Sequence, residues 1–331
     1  MIEDNPSDII FLVKKTYELK ENEILELNDL YNKVFSYYIK TQRNREDFIA
    51  KFTSNEKKYS FHGLMKKNNK IIGSYPVIPN KFKYFDKNLF FGLVVDTVID
   101  KNYQGNLDNL IKLNNLVYDS LRKEKIYFVY GIANKRYYQI IKRLFQYKDI
   151  CALNFFAKPI KIRKRPLFGG VFNLIIFSLN FIINTFSKNQ DSTIIKKNIF
   201  QNKFEGSNED FENFNNVKIV SNEKFKFAYK INIERKFNID LRNLYIFAIH
   251  PLSKNNISKV VNYCTKNFED VELIFYPKNG IEKSSNLFNL SSFFFKDKTI
   301  VSGKILENSI IDNRIFNNEN WNLNLSNFDI K

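Results

Sequence analysis

VVDTVIDKNYQGNLDNLIKL, residues 94–113, passes from a β-branched apolar run, through a turn ending in Gln104-Gly105, into a leucine-spaced segment. Two readings are open for it. In one, a strand delivers a glycine-containing turn to a helix N-terminus, where free backbone N–H groups and the positive end of the helix dipole converge on an anion. In the other, the same strand, loop and helix hold nothing. Everything else in the sequence bears on that choice.

Upstream, residues 22–40 place Ile24, Leu27, Leu30, Tyr31, Val34 and Phe35 at three- and four-residue spacing, which predicts an amphipathic helix with one buried face. A second helical piece is expected from Glu46 to Phe52. YSFHGLMKKNNKIIGSYPVIP (59–79) reads as a hairpin, two short apolar runs around the turn chemistry of KKNNK. A further strand pair is expected from NKFKYF and NLFFGLVVDTVI around Asp86-Lys87-Asn88. Downstream, Leu107, Leu110, Ile111, Val117, Tyr118 and Leu121 line one side of a helix that Leu113 and Leu116 widen. KIYFVYGI (125–132) is strand-like by its aromatic and β-branched content, and Asn134 suits an N-cap for a helix carrying Tyr137, Ile140, Ile141 and Leu144.

The 331 residues suggest about two domains, and 44% hydrophobic content with 16% aromatics is ample for a core in each. A formal charge of +17 fits a polyanionic partner such as a phosphorylated small molecule or acidic lipid, or reflects drift toward lysine codons. No RNA- or DNA-binding module signature is present, so nucleic acid is set aside. Two cysteines, Cys151 and Cys264, are too few for a disulfide framework or a thiolate metal site and imply a reducing compartment. The two histidines, His62 and His250, stand alone, and no metalloprotease, nucleophile-elbow or P-loop motif accompanies them, so no metal ligand set is expected. The N-terminal residues lack a cationic start followed by an apolar signal core, which predicts a cytoplasmic location.

A composition break follows at KPIKIRKRPLFGGVFNLIIFSLNFIINTFSKN (158–189). Five cations, Lys158, Lys161, Arg163, Lys164 and Arg165, precede twenty uncharged residues from Leu167 to Phe186. About 20 apolar residues can cross a bilayer, but Asn173, Asn180 and Asn184 put a polar stripe along the helix. That stripe suits a helix lying in an anionic membrane interface, or packed between domains, better than a lone span. The expected partition is 1–160, 161–197 as the basic-apolar helix and linker, and 198–331 as a second unit. In that unit the reading is strand 217–220, helix 222–236, strand 243–249, helix 254–267, strand 271–276, then short strands at 293–295 and 300–301.

The stretch from about Ile24 to Ala157 resembles the GNAT superfamily of acyl-CoA N-acyltransferases: two helices, the hairpin FHGLMKKNNKIIGSYPVI, the strand GLVVDTVID, the turn NYQG, a helix, then FVYGIANKRYYQIIKRLFQY. Within it the chain is similar to two-part acetyltransferases of bacterial surface polysaccharide synthesis. The resemblance implies an α/β (α+β) fold with a mixed, largely antiparallel sheet flanked by helices, followed here by the apolar helix and a smaller α/β unit. It also implies that acetyl-CoA lies in a cleft between the central strands, near Val98 and Asn134, with its pyrophosphate on the turn at Gln104, Gly105 and Asn106. The turn departs from the family pattern, since Leu107 and Asn109 stand where later glycine positions fall. Ile141 occupies the position of the family's thiolate-protonating tyrosine, and Tyr137 and Tyr138 lie one turn earlier, as substitutes (Tyr138 foremost) or as core.

Asp96, inside LVVDTVI, is the candidate base for an attacking amine, or else a carboxylate bonded to a neighbouring loop. His62 is a further base candidate or a structural residue. The expected activity is acetyl transfer to the amine of a sugar or nucleotide-sugar. The alternatives are a non-catalytic GNAT-like scaffold, and a protein bound peripherally to the inner membrane face through 158–186.

Overall fold

The computed structural model describes residues 9–35, 42–85, 87–160, 200–202, 217–236, 239–278, 287–289, 299–323 and 328. The basic-apolar segment 161–197, with the helix expected at 167–186, and the short strand expected at 293–295 lie outside these residues. Two compact units are present. One comprises Met1–Phe82, Lys87–Ile150 and Val301–Phe316, and the other Lys83–Asp86, Cys151–Ile300 and Asn317–Lys331.

The first unit begins with strand β1 (Ile9–Lys15) and helices α1 (Glu21–Phe35) and α2 (Arg45–Thr53). The strands β2 (Phe61–Lys67) and β3 (Lys70–Tyr84) meet at Asn68 and Asn69, whose φ values of 50° and 62° are those of a two-residue type I′ turn. Asparagine tolerates that left-handed conformation, which is why KKNNK is legible as a hairpin. Strand β4 (Lys87–Val94), the short β5 (Val98–Ile99), helix α3 (Leu107–Lys123), β6 (Ile126–Ile132) and α4 (Lys135–Leu144) follow, and β14 (Thr299–Ile305) comes late in the chain. The strand order is β1-β2-β3-β4-β6-β14. Strands β1 and β2, β2 and β3, and β6 and β14 run antiparallel, whereas β4 and β6 are parallel. A parallel pair needs a crossover, and α3 supplies it. Its buried face, Leu110, Leu113, Val117, Tyr118 and Leu121, packs on Phe61, Met65, Val77 and Val129.

The second unit orders β7 (Lys148–Pro159), β12 (Leu273–Lys278), β11 (Ile239–His250), β10 (Lys226–Lys236) and β9 (Lys218–Ser221). Here β11 and β12 are parallel, joined by α5 (Lys254–Asn267), and the other neighbours are antiparallel. Ile257, Val260, Val261 and Cys264 of that helix are buried against Leu244, Ile246 and Ile274. Among the described residues, each unit therefore contains a strand–helix–strand crossover inserted in a largely antiparallel sheet. Short pairings of β13 (Phe288–Asn289) with β7, and of β15 (Trp321–Asn322) with β8 (Phe200–Asn202), complete the described strands.

Of residues 222–236, expected as a helix, Lys226–Lys236 form the strand β10 instead. Phe225, Phe227, Tyr229 and Ile231 alternate onto one buried cluster, which is a two-residue period. The helical reading arises because Phe225, Tyr229 and Ile233 also fall four apart. Strand β1 had no counterpart among the expected elements. Both cysteines are buried and free, and burial pushes the Cys151 thiol up to about 12.

Candidate active site

The parallel strands β4 and β6 stay paired only from Phe90↔Ile126 to Leu93↔Tyr130. Beyond that point the chain leaving β4 turns toward β3: Val95 N donates to Pro76 O at 3.2 Å and Asp100 N to Ile72 O at 2.8 Å, with Gly73↔Ile99 and Ser74↔Val98 paired between them. Strand β6 stays with β14, through Val301↔Ile132 and Gly303↔Tyr130. The two strands part, and a cavity of about 280 Å³ opens between residues 94–97 and 131–134.

Two local features set the parting. Gly131 lets the strands approach before they separate, since a Cβ there would stand 2.9 Å from Val94 O. Asp96 has φ +41°, a left-handed conformation that costs a residue with a side chain on the order of 1–3 kcal/mol and persists only where neighbours fix it. Arg43 Nη2 at 2.7 Å and Lys51 Nζ at 2.6 Å both bind Asp96 Oδ2, and these two cations have side chains only 4% and 5% exposed. Arg43 is held in turn by paired backbone bonds with the Asn32 side chain and by its position 4.9 Å over the Tyr31 ring. Burial pushes the Asp96 carboxyl up, but Lys51 and Arg43 outweigh it and hold it below the usual carboxylate value. It is an ionised group, fixed by α1 and α2, on the cavity wall.

The opposite wall is phenolic. Tyr75, Tyr137 and Tyr147 line the cavity with Ile141, and Thr97 lines it beside Asp96. Behind them the hydroxyls of Tyr75, Tyr118 and Tyr147 form a closed triangle of 3.2–3.3 Å contacts, and Tyr118 donates to Asn114 Oδ1 at 3.2 Å. Burial raises the pKa of each of these phenols, so they remain protonated at neutral pH. Tyr137 Oη and Thr97 Oγ1 are buried and complete no hydrogen bond.

Of the residues expected at the site, Asp96 and Asn134 line this cavity. Asn134 is also the N-cap of α4, accepting from Tyr137 N at 2.9 Å. Val98 is buried, with its backbone committed to β3. Gln104, Gly105 and Asn106 form the turn before α3, away from the cavity lining. Gly105 has φ +98° and nothing within 4 Å of where a Cβ would be, so the turn is open to a ligand. The Gln104 side chain donates to Ile99 O at 2.8 Å and Asn106 accepts from Asn109 N at 3.2 Å as the helix cap. Asp108 adds a carboxylate to the first turn. The Tyr138 hydroxyl points elsewhere, donating to Asp149 at 2.9 Å, beside the Lys142–Asp149 ion pair. His62 lies in the core against Phe48 and Phe52, its Nε2 3.1 Å from Thr16 Oγ1, and burial lowers its pKa to about 3. Arg43, Lys51, Thr97, Tyr75 and Tyr147 were not read from the sequence. Only the lone carboxylate in LVVDTVI hinted at them, since a buried charge needs a partner.

Among the described residues no cluster of His, Cys, Asp and Glu is arranged to hold a metal, and no helix is long and apolar enough to cross a membrane. The sequence matches no family model and no curated protein. Solved structures do resemble it. A GCN5-related N-acetyltransferase from Anabaena variabilis ATCC 29413 superposes with a TM-score of 0.51 at 10% identity, over 89% of this chain and 73% of that one. One from Kribbella flavida gives 0.51 at 6% identity, over 91% and 72%. Saccharomyces cerevisiae N-myristoyltransferase, with bound myristoyl-CoA and inhibitors, gives 0.52 at 8% identity, over 91% and 80%. At such identities the likeness is one of architecture: this chain has a GNAT-like fold.

Proposed function

We propose that the unit containing the β4–β6 cleft is an acyl-CoA-dependent N-acyltransferase that transfers an acetyl group to the amine of a sugar or nucleotide-sugar. The observation that carries this reading is the parting of two parallel strands over a cavity walled by main chain, an ionised carboxylate and phenols, on a fold shared with acyltransferases. The thioester end of acetyl-CoA suits the cavity, where the Thr97 and Tyr137 hydroxyls complete no well-formed hydrogen bond. The pyrophosphate suits the open turn at Gly105 and the N-terminus of α3. The amine attacks the thioester carbonyl directly, a C–N bond forms, and the thiolate leaves with the C–S electron pair. Asp96 faces the cavity as the group to receive the amine's proton, or to orient a water that does. A carboxylate held down by two cations is a reluctant base, and its contribution rests on proximity. Tyr147 is a phenol on the cavity wall able to return a proton to the thiolate, while Tyr138 spends its hydroxyl on Asp149.

One observation favours the second reading, a scaffold without cofactor. The polar side chains of the turn serve the chain itself, and Asp108 opposes an anion at the same helix end. Titration with acetyl-CoA separates the two. A ligand present at a hundredfold excess over its dissociation constant stabilises the folded state by about 2.7 kcal/mol, so an acyltransferase melts measurably higher with acetyl-CoA and releases thiol when an amino sugar is added. No shift at millimolar acetyl-CoA selects the scaffold.

A further inference from the structure

The hydroxyls of Thr97 and Tyr137 are unusual among the polar groups of the first unit. Both are buried, both complete no hydrogen bond, and both residues line the one cavity between the parted strands. They come from different elements, Thr97 from the segment after β4 that stays beside β3, and Tyr137 from the first turn of α4, where Asn134 anchors its backbone. Thr97 and Asn114 both stand near enough to Tyr137 to ease its ionisation against the opposing effect of burial, yet neither completes a well-formed hydrogen bond with it. An unpartnered buried hydroxyl destabilises a protein, and two of them lining one cavity suit a polar ligand atom that accepts from both.

We propose that Thr97 and Tyr137 hold the carbonyl oxygen of the acyl thioester, each donating one hydrogen bond to it. This inference rests on the acyltransferase reading. A carbonyl oxygen has two lone pairs, so one oxygen takes both donors. As the amine nitrogen bonds to the carbonyl carbon, the C=O π pair moves onto this oxygen, which becomes an oxyanion. As that pair returns, the C–S bond breaks and the thiolate departs. No proton passes from Thr97 or Tyr137, and the nitrogen's proton leaves through Asp96 or water. Donors fixed in a buried site stabilise such charge far more than donors in water, because they need no reorganisation. Tyr137 suits the role because burial keeps its phenol protonated.

The test uses the full chain with Tyr137→Phe, Thr97→Val and the double variant, each of which removes a hydroxyl and keeps the shape. If the hydroxyls have no protein partner, the ligand-free variants melt higher than the parent, by about 2–4 °C per site. Turnover falls by about 10²–10³-fold per donor, while the acetyl-CoA dissociation constant stays within about threefold. With acetyl-CoA labelled with ¹³C at the carbonyl, infrared difference spectra show the bound C=O stretch at lower frequency than in water, and each variant loses part of that shift. If Tyr137→Phe fails to fold, Thr97→Val and the carbonyl stretch decide. Lower melting together with unchanged turnover, or a bound carbonyl whose stretch the variants leave unmoved, overturns the proposal and leaves acyl transfer standing. Failure of the parent chain to bind any acyl-CoA overturns both.

Discussion

Glu23 ties the first turn of α1 to the sheet, and its removal has a pH signature that follows from its contacts. Lys14 Nζ lies 2.9 and 2.8 Å from its two carboxylate oxygens, Lys66 Nζ 2.6 Å from Oε1, and the Lys20 amide donates to Oε2 at 2.8 Å. Burial pushes the carboxyl up, but the two lysines and the amide overcome it and lower the pKa from 4.5 to about 2. The side chain is only 3% exposed, so solvent screens these contacts little. At about 1.4 kcal/mol for each tenfold change in acidity, the ionised form stabilises the fold by about 3 kcal/mol at neutral pH. Because the folded pKa is depressed, that stability is fully present above pH 4.5 and is lost as the pH falls toward 2. Glu23→Gln therefore lowers stability by about 3 kcal/mol at pH 7 and by almost nothing near pH 2. The single tryptophan, Trp321, belongs to the other unit. Hydrogen exchange at the amides of α1, β1 and β2, compared between parent and variant at pH 7, 4 and 2.5, follows the right part of the molecule. A stability difference as large at pH 2.5 as at pH 7 refutes the electrostatic account and assigns the effect to packing.

Two further predictions concern the site. Asp96→Asn leaves Arg43 and Lys51 facing a neutral amide, so the first unit should lose about 3–5 kcal/mol in urea unfolding; if Asp96 takes the amine's proton, turnover per folded molecule also falls by about 10²–10⁴-fold while acetyl-CoA still binds. An unchanged rate excludes the base role and leaves Asp96 as the residue that fixes the bend. Gly105→Asp and Gly105→Asn impose the same backbone conformation at φ +98° without meeting neighbouring atoms, and differ only in charge. Calorimetric titration should show the Asp variant losing at least about tenfold in acetyl-CoA affinity relative to the Asn variant, and equal affinities remove the turn from the cofactor site.

What was legible in the sequence was what depends on neighbours along the chain. The Asn68-Asn69 turn, the apolar stripe of α3 and the Asn134 cap of α4 each rest on residues within a few positions, and each is present. Strand β10 misled because its apolar residues satisfy a two-residue and a four-residue spacing at once, and the sheet decides between them through pairing with β9 and β11. The site was hard to read for a related reason. Arg43, Lys51 and Asp96 meet across up to 53 positions, and Tyr75 reaches Tyr147 across 72. No local pattern marks those meetings.

The residues that make the cleft are also not those that a turn motif records. A glycine-rich turn before α3 concerns only how closely a phosphate approaches the backbone. The opening itself follows from the bend at Asp96 and from residues 95–100 keeping to β3 after the pairing with β6 ends. The backbone there is strained, and the cations that compensate for it come from α1's neighbour Arg43 and from Lys51 of α2. A chain can thus lose later glycines, as at Leu107 and Asn109, and keep the cavity, because the two features have separate physical causes. The ion pairs of Asp96 with Arg43 and Lys51 hold the bend whether or not the turn before α3 keeps its glycines. The charge cluster on the cavity wall, more than the turn, is therefore what shapes the cleft.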